Sequence, residues 1–139
     1  MAHELILIVE DEKITGMNIR LMVQQFGYMP IGPLCSGEDA VMIACTLRPD
    51  IILMDILLKG TIDGVQAAEI IQSRHSCPVI FLTAHSDGTT LERTKNVEPF
   101  GWVLKPVDEE ELHRTIEKAL NPPMIQKQSR AVREENAGW

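Results

Sequence analysis

Short, unbroken apolar runs alternate along this chain with longer stretches whose apolar residues recur at helical spacing. Leu5–Val9, Ile51-Ile52-Leu53-Met54 and Val79-Ile80-Phe81-Leu82 are continuous and rich in branched side chains. Strands covered on both faces read this way, whereas one-sided strands alternate. Residues 30–35 and Trp102-Val103-Leu104 supply two weaker strands. Between them, residues 13–26 carry Ile14, Met17, Leu21 and Met22 near helical spacing, and Gly27 supplies the stop. Ser36-Gly37-Glu38-Asp39 resembles a capping box opening a helix that ends at Leu47, before Pro49. Residues 64–73 place Val65, Ala68 and Ile71 in a row. Residues 108–120 do the same with Leu112, Ile116 and Leu120, and Asn121-Pro122-Pro123 ends them. Residues 89–96 have Leu91 as their one large apolar residue and predict a short, weakly held helix. The order is β-α repeated five times. It predicts an α/β fold, a single doubly wound five-stranded parallel sheet with five helices on both faces. Residues 1–121 are read as one domain, and the polar residues 122–139 as a tail or linker stub.

Composition narrows the partners. The 139 residues are 45% hydrophobic and 24% charged, which suits one globular domain and neither a disordered chain nor a disulfide-stapled miniprotein. Thirteen Lys+Arg against 20 Asp+Glu give a formal charge of −7 and a pI near 5.0. Direct nucleic-acid binding is disfavoured, because its affinity comes from basic residues neutralising phosphates. The apolar runs fall well short of the ~20 residues that span a bilayer, and the first residues lack a signal-peptide pattern. A cytoplasmic protein without membrane contact is expected. Cys35, Cys45 and Cys77 include no CxxC and are expected to be reduced, mostly buried thiols.

In an open parallel sheet, ligands gather at the carboxyl ends of the strands. Glu10-Asp11-Glu12 follow the first strand, Asp55 ends the third, Thr83 closes the fourth and Lys105-Pro106 the fifth. Crowded carboxylates repel, and one takes up a proton unless a cation intervenes. Mg²⁺, which favours few carboxylates together with waters and a substrate phosphate, resolves that conflict. Asp55, held on a rigid strand end, can be aimed as a nucleophile. Lys105 and the metal would draw charge from a phosphoryl group, while Thr83 and nearby backbone N–H groups donate to its oxygens. An aspartyl phosphate is the product such a site would form.

Taken as an ordered set, Val9-Glu10-Asp11-Glu12, Leu53-Met54-Asp55, Asp63-Gly64, Leu82-Thr83-Ala84 and Gly101-Trp102-Val103-Leu104-Lys105-Pro106 resemble the receiver domain of two-component response regulators. The resemblance covers residues 4–120 and implies the strand order 2-1-3-4-5. It implies that Asp55 accepts phosphate from a phosphohistidine of a sensor histidine kinase or phosphotransfer protein. Glu10, Asp11, Asp55 and the backbone carbonyl of Leu57 would hold Mg²⁺. Thr83, Ala84 and Lys105 would bind the phosphoryl oxygens, and Trp102 would occupy an aromatic switch position that turns inward as Thr83 shifts. The Lys105–Pro106 bond is expected to be cis. Leu57 and His85 would flank the phosphoryl group, and an apolar Leu57 implies slow loss of phosphate. Three departures stand out: Trp102 replaces the usual Tyr or Phe, the loop from Asp55 to Gly64 is one residue longer than is common, and Lys59 replaces a frequent Pro.

The expected function is a phosphorylation-controlled switch rather than an enzyme, with only self-catalysed phosphotransfer and slow autodephosphorylation. The resemblance places the output contact, a downstream protein target, on residues 89–96, the last strand and residues 108–120, and allows a homodimer on phosphorylation. The chain would be a single-domain regulator or the receiver segment of a larger regulator or hybrid kinase. A Mg²⁺-dependent phosphohydrolase is the main alternative, but it needs a second carboxylate two residues after the nucleophile, where Leu57 stands. A flavodoxin-like flavin module would need a hydroxyl- and glycine-rich phosphate loop where Glu10-Asp11-Glu12 stand.

Overall fold

The continuous apolar runs become strands because helices cover both of their faces. The computed structural model describes residues 3–84, 92–94 and 97–121. Within them β1 (Leu5–Val9), β2 (Met29–Leu34), β3 (Ile51–Asp55), β4 (Val79–Ala84) and β5 (Gly101–Lys105) form one sheet in the order β2-β1-β3-β4-β5. Every pairing is parallel. Helices α1 (Lys13–Gln25), α2 (Gly37–Leu47) and α3 (Gly64–Arg74) follow the first three strands, and α4 (Glu109–Leu120) follows the fifth. Residues 92–94 form a helical turn between β4 and β5. The rest of the helix expected over 89–96 lies outside the described residues, as does the tail expected over 122–139.

Strand side chains alternate between two cores. Leu7, Val9, Ile52, Met54, Val79 and Phe81 pack with Ala40, Ala44, Val65, Ala68 and Ile71 of α2 and α3. Ile6, Ile8, Ile51, Leu53, Ile80 and Leu82 pack with Ile19 and Val23 of α1 and with Leu112 and Ile116 of α4. At the edge, β5 buries Val103 but leaves Trp102 and Leu104 exposed, which is why its apolar run is the shortest. Among the described residues, no helix is long and apolar enough to cross a membrane. The thiols are all free, but only Cys77 is buried; Cys35, just beyond β2, is exposed.

Helix α1 turns a different face inward from the one its large apolar residues suggest. Gly16, Ile19 and Val23 are buried, while Ile14, Met17 and Leu21 are 75%, 44% and 54% exposed. The reason is close approach. A Cβ on Gly16 would lie 2.8 Å from Pro33 Cβ, and Arg20 Nη1 donates to the Gly32 carbonyl, so α1 lies flat on the end of β2 along its small face. Ile19→Val is therefore expected to cost about 1 kcal/mol, and Leu21→Ser less than about 0.5 kcal/mol. Urea midpoints of the two variants check this, and equal losses would contradict the assigned face.

Candidate functional site

Four strand ends meet at one cleft of about 200 Å³. Glu10, Asp11, Asp55, Thr83 and Lys105 line it, together with Glu12, Leu57 and Ala84. Thus the sequence-predicted phosphoacceptor, metal and phosphoryl residues converge. Asp55 ends β3, paired to β1 on one side and β4 on the other, so its backbone is fixed. Its side chain is nearly buried at 5% exposure, and Glu10 is more so at 1%.

Lys105 joins these two carboxylates. Its Nζ lies 2.6 Å from Glu10 Oε1 and 3.1 Å from Asp55 Oδ2. Glu10 Oε2 accepts the Glu12 amide at 3.0 Å. Asp55 Oδ1 accepts the Leu57 amide at 3.3 Å, and Asp11 Oδ2 accepts the Lys59 amide at 3.2 Å. Burial pushes the Asp55 carboxyl up to about 7, the negative charge of Glu10 adds to the rise, and Lys105 offsets only part of it. Burial also pulls the Lys105 ammonium down, but its hydrogen bond to Glu10 and the charge of Asp55 outweigh that, and the net shift is upward.

A hard cation fits this donor set. Glu10, Asp11 and Asp55 each offer a carboxylate oxygen within 4.8 Å of the others. Glu10 Oε1 is buried, and among the described residues its partner is the Lys105 ammonium at 2.6 Å. Three carboxyl groups face a single ammonium, Lys105, so the cluster keeps negative charge for a divalent ion with oxygen preference.

One predicted residue stands apart from this cluster. Trp102 does not line the cleft. It is 42% exposed, and its indole N–H donates to the Thr94 hydroxyl at 2.9 Å. The Lys105–Pro106 and Gly32–Pro33 peptide bonds are both cis. Leu57 is 64% exposed, and His85 lies outside the described residues.

Side chains at the starts of α2 and α3 add contacts outside the cleft. Asp63 and Gln66 form a reciprocal capping box at the start of α3, legible in principle as Asp-x-x-Gln before an apolar row. The capping box expected at Ser36 is half made, with the Ser36 hydroxyl accepting the Asp39 amide at 3.1 Å. Arg93 pairs with Asp63 at 2.9 Å, and Glu38 Oε1 accepts the Ile62 amide at 3.2 Å. Both are long-range pairs with no local signal.

Comparison with known proteins agrees with this geometry. A family model described as the response regulator receiver domain matches residues 6–117. The positive alginate biosynthesis regulatory protein of Pseudomonas aeruginosa is 40% identical over 124 residues, 87% of this chain and 49% of that protein. The transcriptional regulatory protein PdtaR of Mycobacterium tuberculosis is 32% identical over 116 residues, 84% of this chain and 56% of that protein. The chain thus spans about half the length of these relatives. Among solved structures, the receiver domain of a modulated diguanylate cyclase from Desulfovibrio desulfuricans superposes with a TM-score of 0.81 at 41% identity, over 86% of this chain and 94% of that one. The receiver domain of the sensor histidine kinase PA1611 from Pseudomonas aeruginosa, solved with a magnesium ion coordinated in its active-site cleft, gives 0.78 at 30% identity, over 86% and 98%. Sheet order, acidic cleft and sequence matches together show that the chain belongs to the response regulator receiver domain family.

Proposed function

We propose that the chain works as a phosphorylation-controlled switch whose phosphoacceptor is Asp55, charged by the phosphohistidine of a sensor kinase or phosphotransfer protein. One observation carries this reading: a nearly buried Asp55 shares Lys105 with Glu10 at the mouth of a cleft that Thr83 and Ala84 also line. An Asp55 oxygen attacks phosphorus, the P–O bond forms as the P–N bond breaks, and the departing imidazole keeps the electron pair and takes up a proton. Lys105 already faces Asp55 and is placed to pair with a phosphoryl oxygen, while the Thr83 hydroxyl and the Ala84 amide donate to others. Glu10, Asp11, Asp55 and the Leu57 carbonyl would hold Mg²⁺, which when bound neutralises charge on the phosphoryl oxygens.

The apolar, exposed Leu57 gives an attacking water no base, which supports slow loss of the phosphoryl group. For Trp102 to turn inward, its bond to Thr94 has to open, so Trp102 and Thr83 are read as the responding pair. The receiver is read as residues 1–121, with residues 122–139 as a tail. Its output is a contact with a downstream protein through β5 and its flanking helices, and a phosphorylation-dependent homodimer would use the same face. The family of signalling domains supports a cytoplasmic switch over an enzyme with turnover. The test is to incubate the chain with Mg²⁺ and a small acyl phosphate and to weigh the intact protein beside Asp55→Asn. One phosphoryl group on the parent alone is expected. No adduct on the parent, or equal labelling of both, overturns the proposal.

A further inference from the structure

The backbone between β3 and α3 connects the metal side of the cleft to a residue outside it. Inside the cleft, the Leu57 amide donates to Asp55 at 3.3 Å and the Lys59 amide to Asp11 at 3.2 Å. Three residues further on, the Ile62 amide donates to Glu38 Oε1 at 3.2 Å. Glu38 belongs to α2, on another part of the chain. The two carboxylate oxygens of Glu38 also lie 3.5 and 3.7 Å from where a Cβ on Gly60 would sit, so this side chain is set against the segment at two points. The start of α2 is itself held, with the Ser36 hydroxyl capping the Asp39 amide at 3.1 Å. It also lies so close to the segment that a Cβ on Gly37 would come within 2.8 Å of Ile62 Cγ1. Glu38 stands in the first turn of α2, where a helix favours negative charge.

We infer that Glu38 is a positioning residue for divalent-cation binding at Glu10, Asp11 and Asp55: by holding the Ile62 amide it keeps residues 57–62 in the conformation that orients the Asp11 carboxylate and the Leu57 backbone. The inference rests on reading those three carboxylates as the Mg²⁺ site. Its physical basis is preorganisation. A hydrogen bond to an ionised carboxylate is among the stronger ones, and a segment already ordered does not have to be ordered when the ion arrives. Groups that orient metal ligands from behind govern affinity in the same way.

The test is Mg²⁺ titration by calorimetry on the full chain and on three variants, with thermal unfolding in chelator measured for each. Glu38→Ala is expected to weaken Mg²⁺ binding about tenfold, the lower end for groups behind a metal ligand. Glu38→Gln keeps a carbonyl acceptor for the Ile62 amide and is expected to stay within about threefold of the parent. Asp39→Ala removes the same charge one residue on, without a described bond to the segment, and is expected to stay within about twofold, because exposed charges are screened. A purely structural Glu38 would lower the melting temperature and leave Mg²⁺ affinity unchanged, and that result overturns the inference. So does an equal loss of affinity in Asp39→Ala, or in Glu38→Gln. If the parent binds no Mg²⁺, the reading of the carboxylate cluster falls and takes this inference with it. If the parent binds and Glu38→Ala binds equally well, the inference alone falls.

Discussion

Alanine at Gly64 is expected to lower stability by about 3 kcal/mol, the upper end for overpacking, or to prevent folding, because crowding against fixed backbone is poorly relieved. A Cβ there would lie 1.9 Å from the Asp55 carbonyl oxygen, 2.9 Å from its carbonyl carbon and 3.0 Å from Met54 Cγ. Neither side can give way easily. Asp55 sits in β3, bonded to strands on both sides, and the Gly64 amide donates to the Ile56 carbonyl at 2.9 Å. The Asp63-Gly64 pair thus has two tasks: Asp63 caps α3, and Gly64 lets that helix begin on top of the Asp55 backbone. A useful contrast is Gly27, which has φ +95 and nothing within 4 Å of the place a Cβ would occupy. Alanine there meets only left-handed backbone strain, about 1–2 kcal/mol. Urea unfolding of the parent and both variants compares crowding with strain. A loss at Gly64 no larger than that at Gly27 would mean that α3 does not approach β3 this closely.

Replacing Asp55 with asparagine is expected to stabilise the ion-free protein by about 2 kcal/mol near pH 8, although it removes the proposed phosphoacceptor. Burial and the charge of Glu10 raise the Asp55 carboxyl from the ordinary 3.8 to about 7. The folded protein therefore binds its proton more tightly than the unfolded chain does. Stability contributed by that proton is full below the unfolded value and is lost as pH rises through the folded one. A rise of this size corresponds to about 4 kcal/mol at most. The asparagine variant recovers roughly half, since Lys105 loses one of its two partners and keeps Glu10. In chelator, the parent should lose stability between about pH 4 and pH 7 while Asp55→Asn changes much less. Saturating Mg²⁺ should restore the parent in proportion to the logarithm of its concentration over the dissociation constant. A parent as stable near pH 8 as near pH 5, with chelator present, would show that the acidic cleft carries no such strain.

Much of the architecture is legible in the sequence because the central strands are apolar on both faces. Leu5–Val9, Ile51–Asp55 and Val79–Ala84 lie between two layers, and a strand in that position has no polar side to confuse with a helix. Strand ends then locate the cleft, since Asp55, Thr83 and Lys105 each directly follow apolar residues. Helix α1 misleads for a physical reason: close packing against Pro33 selects the small residue Gly16, so size alone points to the wrong face. Glu38 and Arg93 are invisible at that level, because their partners Ile62 and Asp63 lie far away in sequence and either residue looks like an ordinary solvated charge. The orientation of Trp102 is equally out of reach, since it depends on Thr94 from a different segment.

The outer strand β2 has a consequence for how copies of this molecule meet. Two of its six residues, Pro30 and Pro33, carry no amide hydrogen. Its partner side is taken by β1, with the register shifting between Leu7 and Val9. A foreign strand aligned along the free margin would find gaps in the row of donors it needs, so ribbon-like growth from that side is blocked. The opposite margin, β5, has no proline within Gly101–Lys105, and any lateral joining of sheets is thereby confined to one end of the molecule.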